Sequence, residues 1–126
     1  MNAGRTSLVE SFRYAFAGLW HTLRGQRNAR IHLSIAIMVI IVGIALNLNE
    51  SEWAIISLTI GFVFVAELFN TVIEAVIDLV TEEYHPLAKR AKDVAAGAVL
   101  TAAMTAVAVG LLILGPPLLT RLGWKP

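Results

Sequence analysis

Four polar side chains, Glu67, Asn70, Glu74 and Asp78, recur at intervals of three and four residues in a largely apolar run from Trp53 to Val80. On a helix of 100° per residue they fall within an arc of about 80°, so one face carries all four. No charge occurs between Trp53 and Ala66. With Trp53 at one membrane boundary, Glu67 lies about 21 Å into a hydrocarbon core of about 30 Å, and Glu74 about 10 Å further along. Glu67 is then inside one leaflet and Glu74 near its interface. A charge at membrane depth costs about 3 kcal/mol even on lenient insertion scales, so such residues face a bundle interior and mark function. A carboxylate in apolar surroundings is suited to take a proton from an alcohol, and one at the water boundary can hold a divalent cation. Asp78, the outermost of the four, also fits a simply solvated side chain.

Beyond the row, Glu82-Glu83-Tyr84-His85-Pro86 and Lys89-Arg90-Ala91-Lys92-Asp93 add cations and acceptors at the same membrane level. Anionic phosphates would find partners there, although Lys89 and Arg90 equally fit a pure topology signal. No Gly-x-x-x-x-Gly-Lys loop, dinucleotide Gly-x-Gly-x-x-Gly or protein-kinase signature occurs. His21 and His32 are not spaced as a ligand pair, and packing or interfacial roles suit them better. The residues alone therefore specify an interfacial polar site able to bind metal and phosphate.

The elements that must position this row are membrane helices. Of 126 residues, 57% are hydrophobic, and the mean hydropathy is +0.72, above the usual range of a soluble domain. A net charge of +1 gives no support to nucleic-acid binding, and the absence of cysteine removes disulfides, thiolate metal sites and a thiol nucleophile. The first apolar run long enough to span begins near Ile31, and no small-residue cleavage site follows it, so it is expected to be retained. No internal repeat relates the hydrophobic segments, and one domain over residues 1–126 is the simplest organisation.

Leu8, Phe12, Phe16, Leu19 and Leu23 fall on one face of a helix over 7–24, with Ser7 and Glu10 spaced as a capping box. This helix is predicted to lie on the membrane surface with Trp20 at the headgroups. Spans are predicted over 31–48, 53–80 and 94–114, the first two joined by a short polar turn and the last ended by Gly115-Pro116-Pro117. The fold class is thus all-α and integral to the membrane, an amphipathic surface helix plus three spanning helices. Arg5, Arg13, Arg24, Arg27 and Arg30 precede the first span, and Lys89, Arg90 and Lys92 lie between the second and third, against Arg121 and Lys125 after the last. This asymmetry places the N-terminus in the cytoplasm and the C-terminus outside. Ala98, Ala102, Ala106 and Gly110 form a small-residue stripe for close helix contact.

The order Glu67-x-x-Asn70-Thr71-x-x-Glu74, followed by Glu83-Tyr84-His85-Pro86-Leu87-Ala88-Lys89-Arg90-Ala91-Lys92-Asp93, strongly resembles the small bacterial membrane diacylglycerol kinase and undecaprenol kinase family. The resemblance extends to Ser11-Phe12-Arg13-Tyr14-Ala15-Phe16 and to Arg27-Asn28 before Ile31-His32, covering nearly the whole chain. It implies a homotrimer in the bacterial cytoplasmic membrane that uses ATP and Mg²⁺ to phosphorylate the hydroxyl of a membrane lipid, at a site between subunits. By the same resemblance Glu67 is the general base, with the amide of Asn70 beside it, and Glu74 is a metal ligand. Tyr14, Glu83, Tyr84, His85, Lys92 and Asp93 match segments that contact ATP. The family has a second acidic metal ligand where this chain has Gln26, which offers a neutral oxygen and no charge. Residues 93–100 and Arg30-Ile31-His32-Leu33 look more like the undecaprenol branch, with diacylglycerol as the alternative acceptor. A small transporter or proton relay using the intramembrane carboxylates is a reading from another class, but it calls for water access from both faces, whereas this row sits towards one side. A non-catalytic membrane scaffold is a third.

Overall fold

A computed structural model describes residues 7–124; Arg5 and Lys125, which enter the charge count, lie outside the described residues. Four helices follow one another: α1 (Leu8–Gly25), α2 (Arg27–Leu46), α3 (Glu50–Val80) and α4 (Pro86–Arg121). The last three are long and apolar enough to cross a membrane.

Helix α1 begins at the expected capping box, in which the Glu10 amide donates to Ser7 Oγ at 3.3 Å and the Ser7 amide donates to Glu10 Oε2 at 2.9 Å. Leu8, Phe12, Phe16 and Trp20 stay exposed, as befits a helix whose apolar face meets lipid. A second capping box, Asn49 with Glu52, starts α3 and fixes the turn that the sequence showed only as short and polar. Asn47 closes α2 in the left-handed conformation at φ 56°, which asparagine adopts more readily than most residues.

Three boundaries differ from the apolar runs. Helices α2 and α4 start before their hydrophobic stretches, at Arg27 and Pro86, because backbone hydrogen bonding does not require apolar side chains and charged turns continue the rod into water. Helix α4 also runs through Pro116 and Pro117 to Arg121, so Gly115-Pro116-Pro117 does not end it. Each proline fixes φ near −65°, which is a helical value; its cost is a missing N–H and a ring that crowds the carbonyl one turn back, and the helix continues past both.

The interior is narrow. Helix α3 buries Ile56, Val63, Glu67 and Asn70; α4 buries Ala95, Val99 and Ala102; α2 buries Ala29, Ala36 and Gly43. Small residues on the two flanking helices let their backbones approach the bulkier face of α3. On α4 the buried positions alternate steps of four and three, while Ala98 stays outside. The expected stripe at a constant step of four is therefore only partly used, because that spacing drifts around the helix and a mean of 3.5 holds one seam. Most other large apolar side chains, among them Met38, Leu58, Phe69 and Leu111, are exposed and suit contact with lipid.

Gly43 is the most crowded glycine among the described residues. A Cβ there would lie 2.9 Å from the Trp53 ring and 3.0 Å from Leu48 Cδ1, so Trp53, expected only as a boundary anchor, also packs the α2–α3 turn. Gly43→Ala should destabilise the protein by about 1–3 kcal/mol through overpacking, read as a lower melting temperature in detergent. An unchanged melting temperature would mean that Trp53 does not depend on this contact.

Candidate active site

One end of the bundle collects the α1–α2 corner, the last turns of α3, the residue 81–85 loop and the start of α4. Gln26 is both the C-cap of α1 and the N-cap of α2, so its position is set by the corner where the surface helix turns into the membrane. From there its side-chain amide donates to Glu74 Oε2 at 3.0 Å. Asn70, one turn earlier on α3, donates to the other oxygen, Glu74 Oε1, at 3.1 Å. Glu74 is thereby held by two neutral amides from two different elements. Such bonds to a charged acceptor are stronger than neutral ones and fix its orientation.

Glu67 lies a further turn into the bundle and is 1% exposed, the largest fully buried side chain among the described residues. Neither of its carboxylate oxygens has a hydrogen-bond partner within the described residues, and neither does Asn70 Oδ1. Buried acceptors without partners are rare in native proteins and call for an explanation in function or bound molecules. Asn70 thus serves Glu74 through its amide nitrogen, while its oxygen, like the Glu67 carboxylate, has no partner among the described residues.

A cavity of about 310 Å³ opens over Asn70 and Glu74, with Gln26, Asn28 and His32 completing its polar wall and Ile31 and α4 its apolar one; Glu67 lies outside its lining. Nearby, a cleft of about 670 Å³ is lined by Asp78, Glu83, Tyr84, His85, Lys92 and Asp93 together with neighbouring loop residues. The Thr81 hydroxyl accepts from the Glu83 amide and donates to its carbonyl, shaping the loop. His85 caps α4 by accepting the Leu87 amide on Nδ1 at 3.2 Å, which leaves Nε2 to carry the proton in the neutral ring. Pro86 follows at the first position of the helix, where its missing N–H is harmless. Lys92 Nζ meets Asp78 Oδ1 at 2.5 Å, and Lys89 Nζ meets Asp93 Oδ2 at 2.5 Å.

The fold therefore brings together Gln26, Glu67, Asn70 and Glu74 as one group and Glu83, Tyr84, His85, Lys92 and Asp93 as another. Tyr14 joins neither within its own chain; it is exposed on α1 with the Arg13 guanidinium 5.4 Å from its ring centre. Asn28 and His32 line the polar cavity although their types and spacing gave no chemical signal. His32 also lines an apolar groove of about 370 Å³ between α2, α3 and α4, and so stands where the polar and apolar spaces adjoin. No group of three or more His, Cys, Asp or Glu that could hold a metal exists among the described residues. A single carboxylate flanked by amides does suit Mg²⁺ brought in with phosphate oxygens and waters, since that ion commonly uses only one or two protein carboxylates.

A buried carboxylate, a tethered second carboxylate and a lysine-bearing cleft in sequence along one helix end form an arrangement suited to phosphoryl transfer to a group in the membrane. The family model for prokaryotic diacylglycerol kinase matches residues 13–114. The chain belongs to that family. It is 48% identical over 109 residues to undecaprenol kinase of Bacillus subtilis (strain 168), covering 86% of this chain and 89% of that one. To the diacylglycerol kinase of Synechocystis sp. it is 49% identical over 115 residues, 90% of this chain and 66% of that one. Identity to the diacylglycerol kinase of Escherichia coli (strain K12) is 28% over 104 residues, 82% of this chain and 85% of that one. Membership of this family makes the chain a membrane lipid kinase.

Gln26→Glu replaces a donor to Glu74 by a second carboxylate beside it. At pH 8 and without divalent cations this variant should lose about 1–3 kcal/mol, the scale of a broken bond to a charged group, and Mg²⁺ should raise its melting temperature more than it raises that of the unaltered protein. Equal stability in both conditions would show that Gln26 does not hold Glu74.

Proposed function

We propose that this kinase transfers the terminal phosphate of ATP to the hydroxyl of undecaprenol, working as a homotrimer at the cytoplasmic face of the bacterial inner membrane. The observation that carries the reading is the Glu67 carboxylate, 1% exposed and unpartnered, one turn below the Asn70–Glu74–Gln26 cluster. Glu67 takes the proton of the lipid hydroxyl as its oxygen bonds to the terminal phosphorus. The bond from that phosphorus to the bridging oxygen breaks, ADP leaves, and Glu67 later returns its proton to water. Asn70 keeps the base and Glu74 in fixed relation. Glu74, aided by an amide oxygen of Gln26 or Asn70, would hold Mg²⁺, which would supply charge neutralisation at the phosphates. Lys92 engages the phosphates, while Glu83, Tyr84, His85 and Asp93 enclose the rest of the nucleotide. Tyr14, exposed on its own chain, reaches the cleft of a neighbouring subunit. In such chemistry positioning and charge neutralisation account for most of the rate.

Orientation is supported by the basic residues Arg24, Arg27, Arg30, Lys89, Arg90 and Lys92, which all belong to the site end of the bundle, against Arg121 at the far end of α4. Undecaprenol is supported by the Bacillus subtilis relative, matched over most of both chains. Diacylglycerol is the second reading, favoured by the relatives of that name.

Purified protein in lipid micelles with labelled ATP and Mg²⁺ should phosphorylate undecaprenol faster than diacylglycerol. Glu67→Gln should lower turnover by about 10²–10⁴, the usual worth of a positioned general base. Faster labelling of diacylglycerol would reverse the acceptor assignment, and no labelling of either by folded protein would overturn the reading.

A further inference from the structure

Asp78 is the member of the polar row to which neither the mechanism nor the resemblance gives work. It lies on α3 one turn beyond Glu74, and its carboxylate meets the Lys92 ammonium of α4 at 2.5 Å. Both side chains line the large cleft, and they are fourteen residues apart in sequence, joined by the loop that also carries Glu83, Tyr84 and His85. A different geometry holds the Lys89–Asp93 pair, which joins two positions on successive turns of the same helix, both largely in water. That pair ties α4 to itself. The Asp78–Lys92 pair ties the cation of one helix to the polar row of the other.

Four residues of helix advance about 6 Å, so Asp78 stations the ammonium about one turn from the carboxylate of Glu74. Lysine carries three donors on a flexible stem. One donor taken by Asp78 leaves two for phosphate oxygens, and the stem no longer has to be ordered when the nucleotide arrives. Resting on the lipid-kinase reading above, we infer that Asp78 is a positioning residue, which holds Lys92 over the cleft in the orientation that receives the phosphates of the nucleotide. It touches neither nucleotide nor acceptor itself.

An ion pair this exposed, with side-chain exposures of 39% for Lys92 and 66% for Asp78, contributes little to stability. Its effect should therefore appear in nucleotide affinity. Asp78→Asn should raise KM for MgATP and the dissociation constant of MgATP in calorimetry by about three- to fivefold, the scale of one exposed ion pair. The KM for the lipid acceptor, kcat and the melting temperature should stay as they are. Asp78→Glu should recover most of the affinity, and in a Lys92→Met background Asp78→Asn should have no further effect. Unchanged MgATP affinity in Asp78→Asn would overturn the inference. So would a loss that persists in Lys92→Met, or one matched by an equal loss of melting temperature, since either makes Asp78 a general brace of the helix pair. Should the unaltered protein bind MgATP but phosphorylate no lipid, the lipid-kinase reading fails while the calorimetry still decides the role of Asp78. If it binds no MgATP, both fail.

Discussion

A carboxylate placed inside a membrane bundle with no hydrogen-bond partner is the constraint around which this protein is arranged. Glu67 takes a position on α3 that an apolar residue would fill at lower cost, between Val63 and Asn70 on the buried face. Such a group persists only where the surrounding packing leaves the chain no alternative, and the small residues of α2 and α4 provide that packing. Close backbones exclude lipid from the carboxylate and hold α3 at a fixed rotation. The rotation that buries Glu67 also brings Asn70, Glu74 and Asp78 round to the same side.

Position along the helix then divides the work. Where α3 is enclosed, its polar group is bare; where it emerges, each polar group acquires a partner from another element. Glu74 is met by Gln26 from the surface-helix corner and Asp78 by Lys92 from α4. Both partners come from the parts of α2 and α4 that extend beyond their apolar runs, or from the corner just before them. The charged turns that lengthen these helices are thus the parts that furnish the water-facing half of the site, and the apolar turns furnish the membrane half.

Much of this was legible in the residues, and for physical reasons. Periodic apolar runs mark spans because lipid demands both helical backbone and apolar side chains, and the same periodicity placed Glu67 to Asp78 on one face. Ser7 and Glu10 announced a helix start by the chemistry of their side chains. Helix ends were harder to read. Arg27 and Pro86 begin helices where hydropathy has already fallen, and Pro116-Pro117 continue one because the fixed φ of proline agrees with a helix even as its missing N–H does not. Contacts between elements were not legible at all. The bond from Gln26 to Glu74, the place of His32 beside two cavities and the pairing of the solvated Asp78 with Lys92 are all of this kind. Each depends on which helix lies opposite, and a single sequence does not encode that in its periodicity. Tyr14 has the converse history, since its motif marks it for the nucleotide and its own chain keeps it away.

If the buried carboxylate is the proton acceptor for a lipid alcohol, it must feel that alcohol directly. Infrared difference spectroscopy of the protein in lipid, with a non-hydrolysable ATP analogue and Mg²⁺ present, reads this on adding undecaprenol. The expected result is a change in a carboxyl band that is present in the unaltered protein and absent in Glu67→Gln. Undecaprenol that binds without altering any band sensitive to Glu67→Gln would contradict the role given to Glu67.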